Sequence, residues 1–343
     1  MKTMKLFLIA LLISSAGASV FAQVVISKEE MLALTPLWTG ERFADGRPKV
    51  SDALLKRLKL VTHEEAWAYM RGKGYAYQFA EGNWQYINPD SVLVGRAVTA
   101  TFMPGRPDIW KAIDDKGKAE GRKAQNVWAV ELLVKGDVYV ADQFGAHFDG
   151  PTIGDRVAAD IYNKTGNGIV YDGAVRDIAG LKEFGGFTSY ITSYHPSYHN
   201  PNRNALNTMI VGVNRPTRIR NVTVMAGDAV LGRDGAVAFI PPHLLEDVVK
   251  DSEKTRLTDM FAHLRTKEGK YTAGQMDAMW TPEINKDYAE WLNANISKLP
   301  VPKEMIEEIL KTRSQTPTGP GQGPQGGQGP RQGGPPTAPP QQR

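Results

Sequence analysis

Residues 154–183 read GDRVAADIYNKTGNGIVYDGAVRDIAGLKE and predict one α/β unit. The first part carries apolar residues at helical spacing and ends at two glycines. The apolar run 169–171 then predicts a short buried strand, and Asp172-Gly173 predicts a turn towards a second helix. The pair Arg176-Asp177 lies at the mouth of this strand-to-helix connection, which is where α/β folds usually bind their ligands.

The spacing of polar residues and glycines in this stretch is more specific than the pair itself. Twenty residues separate Asp155 from Arg176-Asp177, and Gly180 and Glu183 follow at intervals of two residues. This pattern resembles the motif of the class II pyruvate aldolases that cleave 4-hydroxy-4-methyl-2-oxoglutarate. Their superfamily also contains the RraA proteins, which regulate ribonuclease activity. The resemblance covers roughly residues 50–250. It implies an α/β fold, an RraA-like swivelling β/β/α domain, here followed by a C-terminal helical extension.

The resemblance also implies a role for each motif residue. Asp177 matches the aspartate that ligates a divalent metal, Mg²⁺ or Mn²⁺, with water in most other positions. Arg176 would contact the pyruvyl part of the substrate, because a planar guanidinium suits carboxylate and carbonyl oxygens. The backbone amides of Gly154-Asp155-Arg156-Val157 would hold the carboxylate end of the substrate. Asp155 would orient a metal-bound water.

The function implied by the resemblance is a divalent-metal-dependent lyase. It would cleave a 4-hydroxy-2-oxo acid to pyruvate through a metal-stabilised enolate, and oxaloacetate decarboxylation would pass through the same enolate. The alternative is a non-catalytic RraA-like binding protein with an extracytoplasmic partner. Family members are commonly trimers, sometimes paired into hexamers, with sites between subunits. A homotrimer or hexamer is therefore expected here.

Taken without the resemblance, the same residues have a structural explanation. Arg176-Asp177 could be an ion pair that caps a helix, and Asp155 an acid that compensates a helix dipole. Two stretches also depart from the family pattern, which usually has Gly-Glu-Leu-Leu at residues 154–157 and often Asp followed by several glycines at 142–147. The chain has DQFGAH at 142–147, a bulkier loop that indicates a different pocket and a different 2-keto acid, or none.

Three histidines near this motif are candidate functional residues. His147, the last residue of the atypical loop, is a candidate for proton transfer because it is near the proposed site. His195 and His199 are four residues apart, a spacing that could chelate a metal on a helix. Pro196 and Pro201 instead predict a loop there, so we do not expect a zinc site.

Composition narrows the class of protein. The 343 residues have a formal net charge of +4, which is too mild to indicate a nucleic-acid partner. The chain has no cysteine, so disulfides and lipobox lipidation are excluded. Residues 1–22 have a basic start, an apolar run and small residues at the end, which is typical of a secretory signal. Export to the periplasm or the extracellular space is expected, and no other stretch predicts a membrane span.

The chain divides into five predicted segments. They are a signal peptide (1–22), an N-terminal arm (23–48), the RraA-like catalytic domain (49–250), a helical extension (251–313) and a disordered Gly/Pro/Gln-rich tail (314–343). Helices are predicted to begin after the capping residues Ser51 and Thr62. Further helices are predicted at 108–121 and 243–250, and strands at 92–102, 138–142, 187–191, 208–213, 219–224 and 237–240.

Overall fold

The computed structural model describes residues 23–148, 150–198 and 207–315. The predicted signal peptide, His199 and the tail beyond residue 315 lie outside these ranges. Ser314 and Gln315, assigned above to the tail, belong to the last helix, Lys303–Gln315.

Eleven strands are formed by the described residues. They are β1 Phe79–Ala80, β2 Gln85–Ile87, β3 Leu93–Pro104, β4 Asp137–Asp142, β5 Ile169–Val175, β6 Ser189–Tyr194, β7 Thr208–Val213, β8 Thr217–Ile219, β9 Val222–Val224, β10 Ala229–Arg233 and β11 Ala236–Ile240. Nine of them make one sheet in the order β1-β11-β10-β3-β4-β5-β6-β2, with β7 paired to β3. Strands β3 to β6 are parallel neighbours, so their carboxyl ends share one edge of the sheet.

Helices cover one face of this sheet. The α-helices are α1 Lys28–Leu34, α2 Asp52–Leu58, α3 His63–Gly72, α4 Pro107–Ala119, α5 Asp155–Thr165, α6 Ile178–Glu183, α7 Pro242–Lys267, α8 Ala273–Asp277, α9 Pro282–Asn295 and α10 Lys303–Gln315. Helices α5 and α6 pack on alternate side chains of β4 and β5, among them Tyr139 and Tyr171. Helices α2, α3 and α7 cover β10 and β11. The opposite face packs against the β8–β9 hairpin, through Ile219, Val222 and Val224.

The mixed α/β fold expected from the sequence is confirmed, and both predicted caps are present. Ser51 accepts the Leu54 N–H, and Thr62 forms a capping box with Glu65. The predicted turn at Asp172-Gly173 is wrong, because both residues lie inside β5. The Asp172 carboxylate is buried and accepts the Thr192 hydroxyl at 2.8 Å, which stabilises an acidic residue within a strand.

Two other predicted elements differ most from the structure. The single strand predicted at 219–224 is a tight hairpin, since Arg220 takes a left-handed conformation with φ of 57°. The helix predicted to end at Lys250 continues to Lys267, because Leu257 and Phe261 pack into the core of the C-terminal helices. Helix α7 therefore runs through the predicted boundary between the catalytic domain and the extension.

The N-terminal arm packs on the sheet at two places. The backbone of Val213 pairs with Val24 and Ile26, at 2.9 and 3.0 Å, which extends the sheet beyond β7. Arg47 is buried and donates to the Asp137 carboxylate at 2.9 Å. None of the helices in the described ranges is both long and apolar enough to cross a membrane.

Candidate functional site

The site is built where the start of α5 meets the connection from β5 to α6. The Arg176 backbone N–H donates to the Ile153 carbonyl at 3.1 Å, which aligns the two segments. Gly154, the residue before α5, lies directly against the side chains of Arg176 and Asp177. A Cβ at position 154 would come within 2.9 Å of Arg176 Nε and Cζ and would also collide with Asp177 Oδ2. Only glycine leaves room for the pair at this place.

Asp177 has a strained backbone and an open carboxylate. Its φ of 58° places it in the left-handed region, which costs a non-glycine residue about 1–2 kcal/mol. Its side chain makes no capping hydrogen bond to α6, so the helix-capping explanation is not supported. Instead, Oδ2 accepts the Asp155 backbone N–H at 3.4 Å and lies 3.3 Å from Arg176 Nε. The side chain keeps 45% of its surface exposed. Such retained strain with an accessible carboxylate is typical of a ligand site.

Arg176 is held by one strong contact and leaves most of its donors available. Its Nη1 donates to the Pro151 carbonyl at 3.0 Å, and its side chain is 26% exposed. A guanidinium has five N–H donors, and the Pro151 carbonyl and the Asp177 carboxylate engage two of its nitrogens. The rest of the planar fork can reach carboxylate or carbonyl oxygens of a ligand.

Asp155 and Gly180 explain the remaining motif spacing. A Cβ at position 180 would lie 2.9 Å from the Asp155 Cβ, so glycine is needed where α6 passes the start of α5. The Asp155 carboxylate accepts the Arg156 backbone N–H at 2.7 Å. Glu183 is exposed at the end of α6, about 9 Å along the helix axis from Asp177.

The amides at the start of α5 bind carboxylates within the chain itself. Of the four predicted to hold the substrate, the Asp155 N–H points to Asp177 and the Arg156 N–H to Asp155. This agrees with the preference of a helix N-terminus for anions. A substrate carboxylate would therefore compete with aspartate side chains for Asp155 N and Arg156 N. Val157 is half-buried and packs on the core beneath.

A buried polar network, not anticipated from the sequence, supports the loop from Gln143 to Ile153. The Tyr171 hydroxyl donates to Gln143 Oε1 and lies 2.5 Å from the Thr152 hydroxyl, while Gln143 Nε2 donates to the Gly150 carbonyl. Burial raises the Tyr171 pKa well above its usual value, so the hydroxyl stays protonated and can donate. The sequence held one signal for this network, since Gln143 stands where the resembling family often has glycine.

The histidines near the site are partly brought together. His147 Nδ1 lies 3.0 Å from the Ser193 hydroxyl, and the His147 and His195 rings contact edge to face with centroids 4.5 Å apart. The His195 backbone N–H donates to the Val175 carbonyl, one residue before Arg176. His195 is followed by loop residues, as Pro196 predicted.

The donor set fits a hydrated hard cation. Within the described ranges no three His, Asp or Glu side chains converge as a metal cluster. Mg²⁺ is commonly held by one or two carboxylates and keeps several waters, so the open Asp177 carboxylate with Asp155 beside it suits that ion. A zinc or other multi-ligand site has no such support there.

Residues 48–238, more than half of the chain, match the RraA-like family, described as Aldolase/RraA. The chain belongs to the RraA-like family. The resemblance drawn from the 154–183 motif is thus confirmed. The RraA-like family includes both ribonuclease E inhibitors and aldolases or lyases, so membership alone does not choose between the two functions.

Solved structures show the same RraA-like fold. Streptomyces coelicolor RraAS2, described as an unusual member of the RNase ES inhibitor RraA protein family, is 24% identical with a TM-score of 0.53, covering 64% of this chain and 100% of that one. An uncharacterized protein from Pseudomonas syringae pv. tomato is 17% identical with a TM-score of 0.52, covering 70% of this chain and 98% of that one. At these identities the likeness concerns the fold alone. No curated protein matches the chain.

Proposed function

We propose that this RraA-like protein is a divalent-metal-dependent lyase that cleaves a 4-hydroxy-2-oxo acid to pyruvate and also decarboxylates oxaloacetate. One observation carries the proposal. Gly154 lets the start of α5 approach Arg176 and Asp177 so closely that any side chain there would displace the pair. This approach brings the guanidinium and the carboxylate against the N-terminus of α5, an arrangement that suits a small anionic ligand.

Each residue of the site would have a separate role. Asp177 would hold Mg²⁺ or Mn²⁺ through its exposed carboxylate, and Asp155 would orient water beside it. A bound divalent cation supplies electrophilic polarisation of the 2-keto group. Arg176, anchored on Pro151, would direct its free donors at the pyruvyl carboxylate and keep the C3–C4 bond in a constant orientation.

The carboxylate of Asp177 faces solvent in the single chain, which suits a site closed by a neighbouring subunit. We therefore propose a homotrimer or hexamer, exported to the periplasm or the extracellular space. The substrate is a small 2-keto acid, with no nucleic-acid partner.

The alternative is a binding protein without catalysis. It is favoured by the small number of carboxylates near Asp177 in the described part of the chain. RraAS2, which shares the fold, is described as an unusual member of the RNase ES inhibitor RraA protein family. On this alternative, an extracytoplasmic protein would be the partner.

The test is pyruvate release from oxaloacetate and from 4-hydroxy-4-methyl-2-oxoglutarate, with and without Mg²⁺. The variant is Asp177→Ala, and the matched control is Asp160→Ala, an exposed aspartate of α5 that pairs with Lys164 at 3.1 Å. We expect metal-dependent release that falls at least about 100-fold in Asp177→Ala and stays near wild type in Asp160→Ala. Mn²⁺ binding should be lost only in Asp177→Ala.

Two results would count against the lyase. Release that is equal in wild type and Asp177→Ala would assign the reaction to other residues. No release, together with no Mn²⁺ binding by the wild-type chain, would favour the binding protein.

A further inference from the structure

A group of three rings, two of them exposed, lies beside the proposed site. We call His147, Phe148 and His195 the aromatic wall. The His147 and His195 rings have centroids 4.5 Å apart, and the Phe148 and His195 rings 5.5 Å apart, both edge to face. His147 reaches over β5 to the Ser193 hydroxyl of β6, which orients its ring.

The wall is attached to the same backbone that carries Arg176. The Ala174 N–H donates to the Ala146 carbonyl at 2.9 Å, and the His195 N–H donates to the Val175 carbonyl at 3.0 Å. His147 therefore leaves the sheet beside Ala174, which precedes Arg176 by about 7 Å of extended chain. The loop that bears His147 and Phe148 continues to Pro151, whose carbonyl anchors the Arg176 guanidinium. The site and the wall are thus built from one loop and one strand end.

The exposure of Phe148 has no explanation in the core. Its side chain is 73% exposed, although its ring touches His195. Leaving a large aromatic ring in water forgoes the stabilisation that burial gives, so an exposed ring next to a ligand site points to a contact made on binding. Edge-to-face rings present a surface that suits another aromatic ring.

We infer that the aromatic wall binds an aryl substituent on C4 of the 2-oxo acid, so that the preferred substrate is a 4-aryl-4-hydroxy-2-oxo acid. The inference rests on the proposed lyase function for its reaction. Cleavage breaks the C3–C4 bond, the C4 hydroxyl loses its proton as the aryl aldehyde forms, and C3 gains a proton to give pyruvate. Atoms and electrons balance without a further reactant.

The test is binding, so that it does not depend on turnover. Calorimetry on the full chain with Mg²⁺ would compare 2-oxo-4-phenylbutanoate with 2-oxobutanoate, a pair that differs only by the phenyl ring. We expect the phenyl compound to bind about tenfold more tightly to the wild type. In Phe148→Ala this ratio should fall to about one. The control Tyr77→Ala removes an equally exposed ring, 74%, and should keep the wild-type ratio.

Each other outcome is decisive. Equal affinity of the wild type for both keto acids would overturn the aryl preference and leave the lyase standing. Binding of neither compound would overturn both proposals. A Phe148→Ala variant that changes its sedimentation mass, with an unchanged affinity ratio, would assign the ring to a contact between subunits instead. Faster pyruvate release from 4-hydroxy-2-oxo-4-phenylbutanoate than from 4-hydroxy-4-methyl-2-oxoglutarate is expected as well.

Discussion

Arginine and aspartate meet at both edges of the parallel strands, and the two sites differ in the burial of the aspartate and in the length of its contacts. At the amino end of β4, Asp137 has no exposed surface and accepts Arg47 Nη2 at 2.9 Å and Arg96 Nε at 3.1 Å. At the carboxyl end of β5, Asp177 is nearly half exposed and has only loose contacts of 3.3 and 3.4 Å. The same residue types therefore stabilise the fold at one edge and stay available for a ligand at the other.

The difference follows from the cost of burying charge. A buried carboxylate is tolerated when its lone pairs are occupied, and the Val134 N–H completes the set around Asp137. At Asp177 water supplies the solvation, so the carboxylate can exchange water for a cation or substrate without disturbing the core. We expect substitution of Asp137 to lower mainly the stability of the fold, and substitution of Asp177 to impair mainly ligand binding.

The largest expected effect is at the buried site. Asp137→Ala would leave the buried Arg47 without its carboxylate at 2.9 Å and would remove one of the two carboxylates that Arg96 pairs with, so it should lower the free energy of unfolding by about 3–5 kcal/mol. Asp177→Ala should change it by less than about 1 kcal/mol. Urea denaturation measures the free energy of unfolding of both variants, and comparable losses would contradict the expected difference between the two sites.

Asp228 adds a third case to this comparison, a buried carboxyl group that is hydrogen-bonded to a backbone N–H and not to an arginine. Asp228 accepts the Met225 N–H at 2.8 Å, and burial raises its pKa to about 7. The folded chain then holds a proton that the unfolded chain releases near pH 4. This contribution to stability is complete below about pH 4 and is lost as the pH rises through about 7. Three pKa units correspond to about 4 kcal/mol.

Asp228→Asn tests this dependence, because asparagine keeps the acceptor and does not titrate. Its free energy of unfolding should fall less than that of the wild type between pH 4 and pH 7. Parallel pH profiles for the two proteins would show that Asp228 is not protonated in the fold.

Alanine substitutions at two glycines of the 154–183 stretch should have different effects, one on stability and the other on metal binding. A Cβ at Gly168 would strike the Thr188 backbone carbonyl, so Gly168→Ala should cost about 1–3 kcal/mol of stability. The three atoms nearest to a Cβ at Gly154 belong to the side chains of Arg176 and Asp177, which can swing outwards. Gly154→Ala should therefore fold nearly normally and lose Mn²⁺ binding. Thermal denaturation with a Mn²⁺ titration checks both, and a stable Gly154→Ala that binds Mn²⁺ normally would remove the main support for the site.

A smaller loss of stability than at Asp137 is expected for a substitution of Tyr171, which lies beneath the loop from Gln143 to Ile153. Tyr171→Phe removes the hydroxyl shared by Gln143 and Thr152 and should cost about 1–2 kcal/mol. Because Pro151 and Ile153 flank Thr152 and hold Arg176, the KM for oxaloacetate should rise more than kcat falls. Tyr162→Phe, on the same core from α5, is the control and should leave KM unchanged. A Tyr171→Phe variant with an unchanged KM would limit the network to stability.

The local parts of this molecule were predictable from sequence. Helical spacing located α5, a short buried run located β4, and β7 was predicted at its observed bounds, Thr208–Val213. The motif spacing brought Asp155, Arg176, Asp177 and Gly180 to one place. Contacts between distant residues leave no periodic signal, so the Arg47–Asp137 pair, 90 residues apart, could not be read. Turn propensity also misled at Asp172-Gly173, where tertiary contacts hold the residues in β5.

Helix α7 has a consequence for how the protein unfolds. Its 26 residues, about 39 Å, begin in the core over β10 and β11 and end among the C-terminal helices. A continuous helix transmits local melting in either direction, so the two parts should lose structure in one cooperative transition. Shortening the chain at residue 250 would cut this helix and remove Leu257 and Phe261 together with the C-terminal helices that pack on them. The C-terminal extension therefore shares α7 with the sheet domain, and it should stay folded only as long as the sheet does.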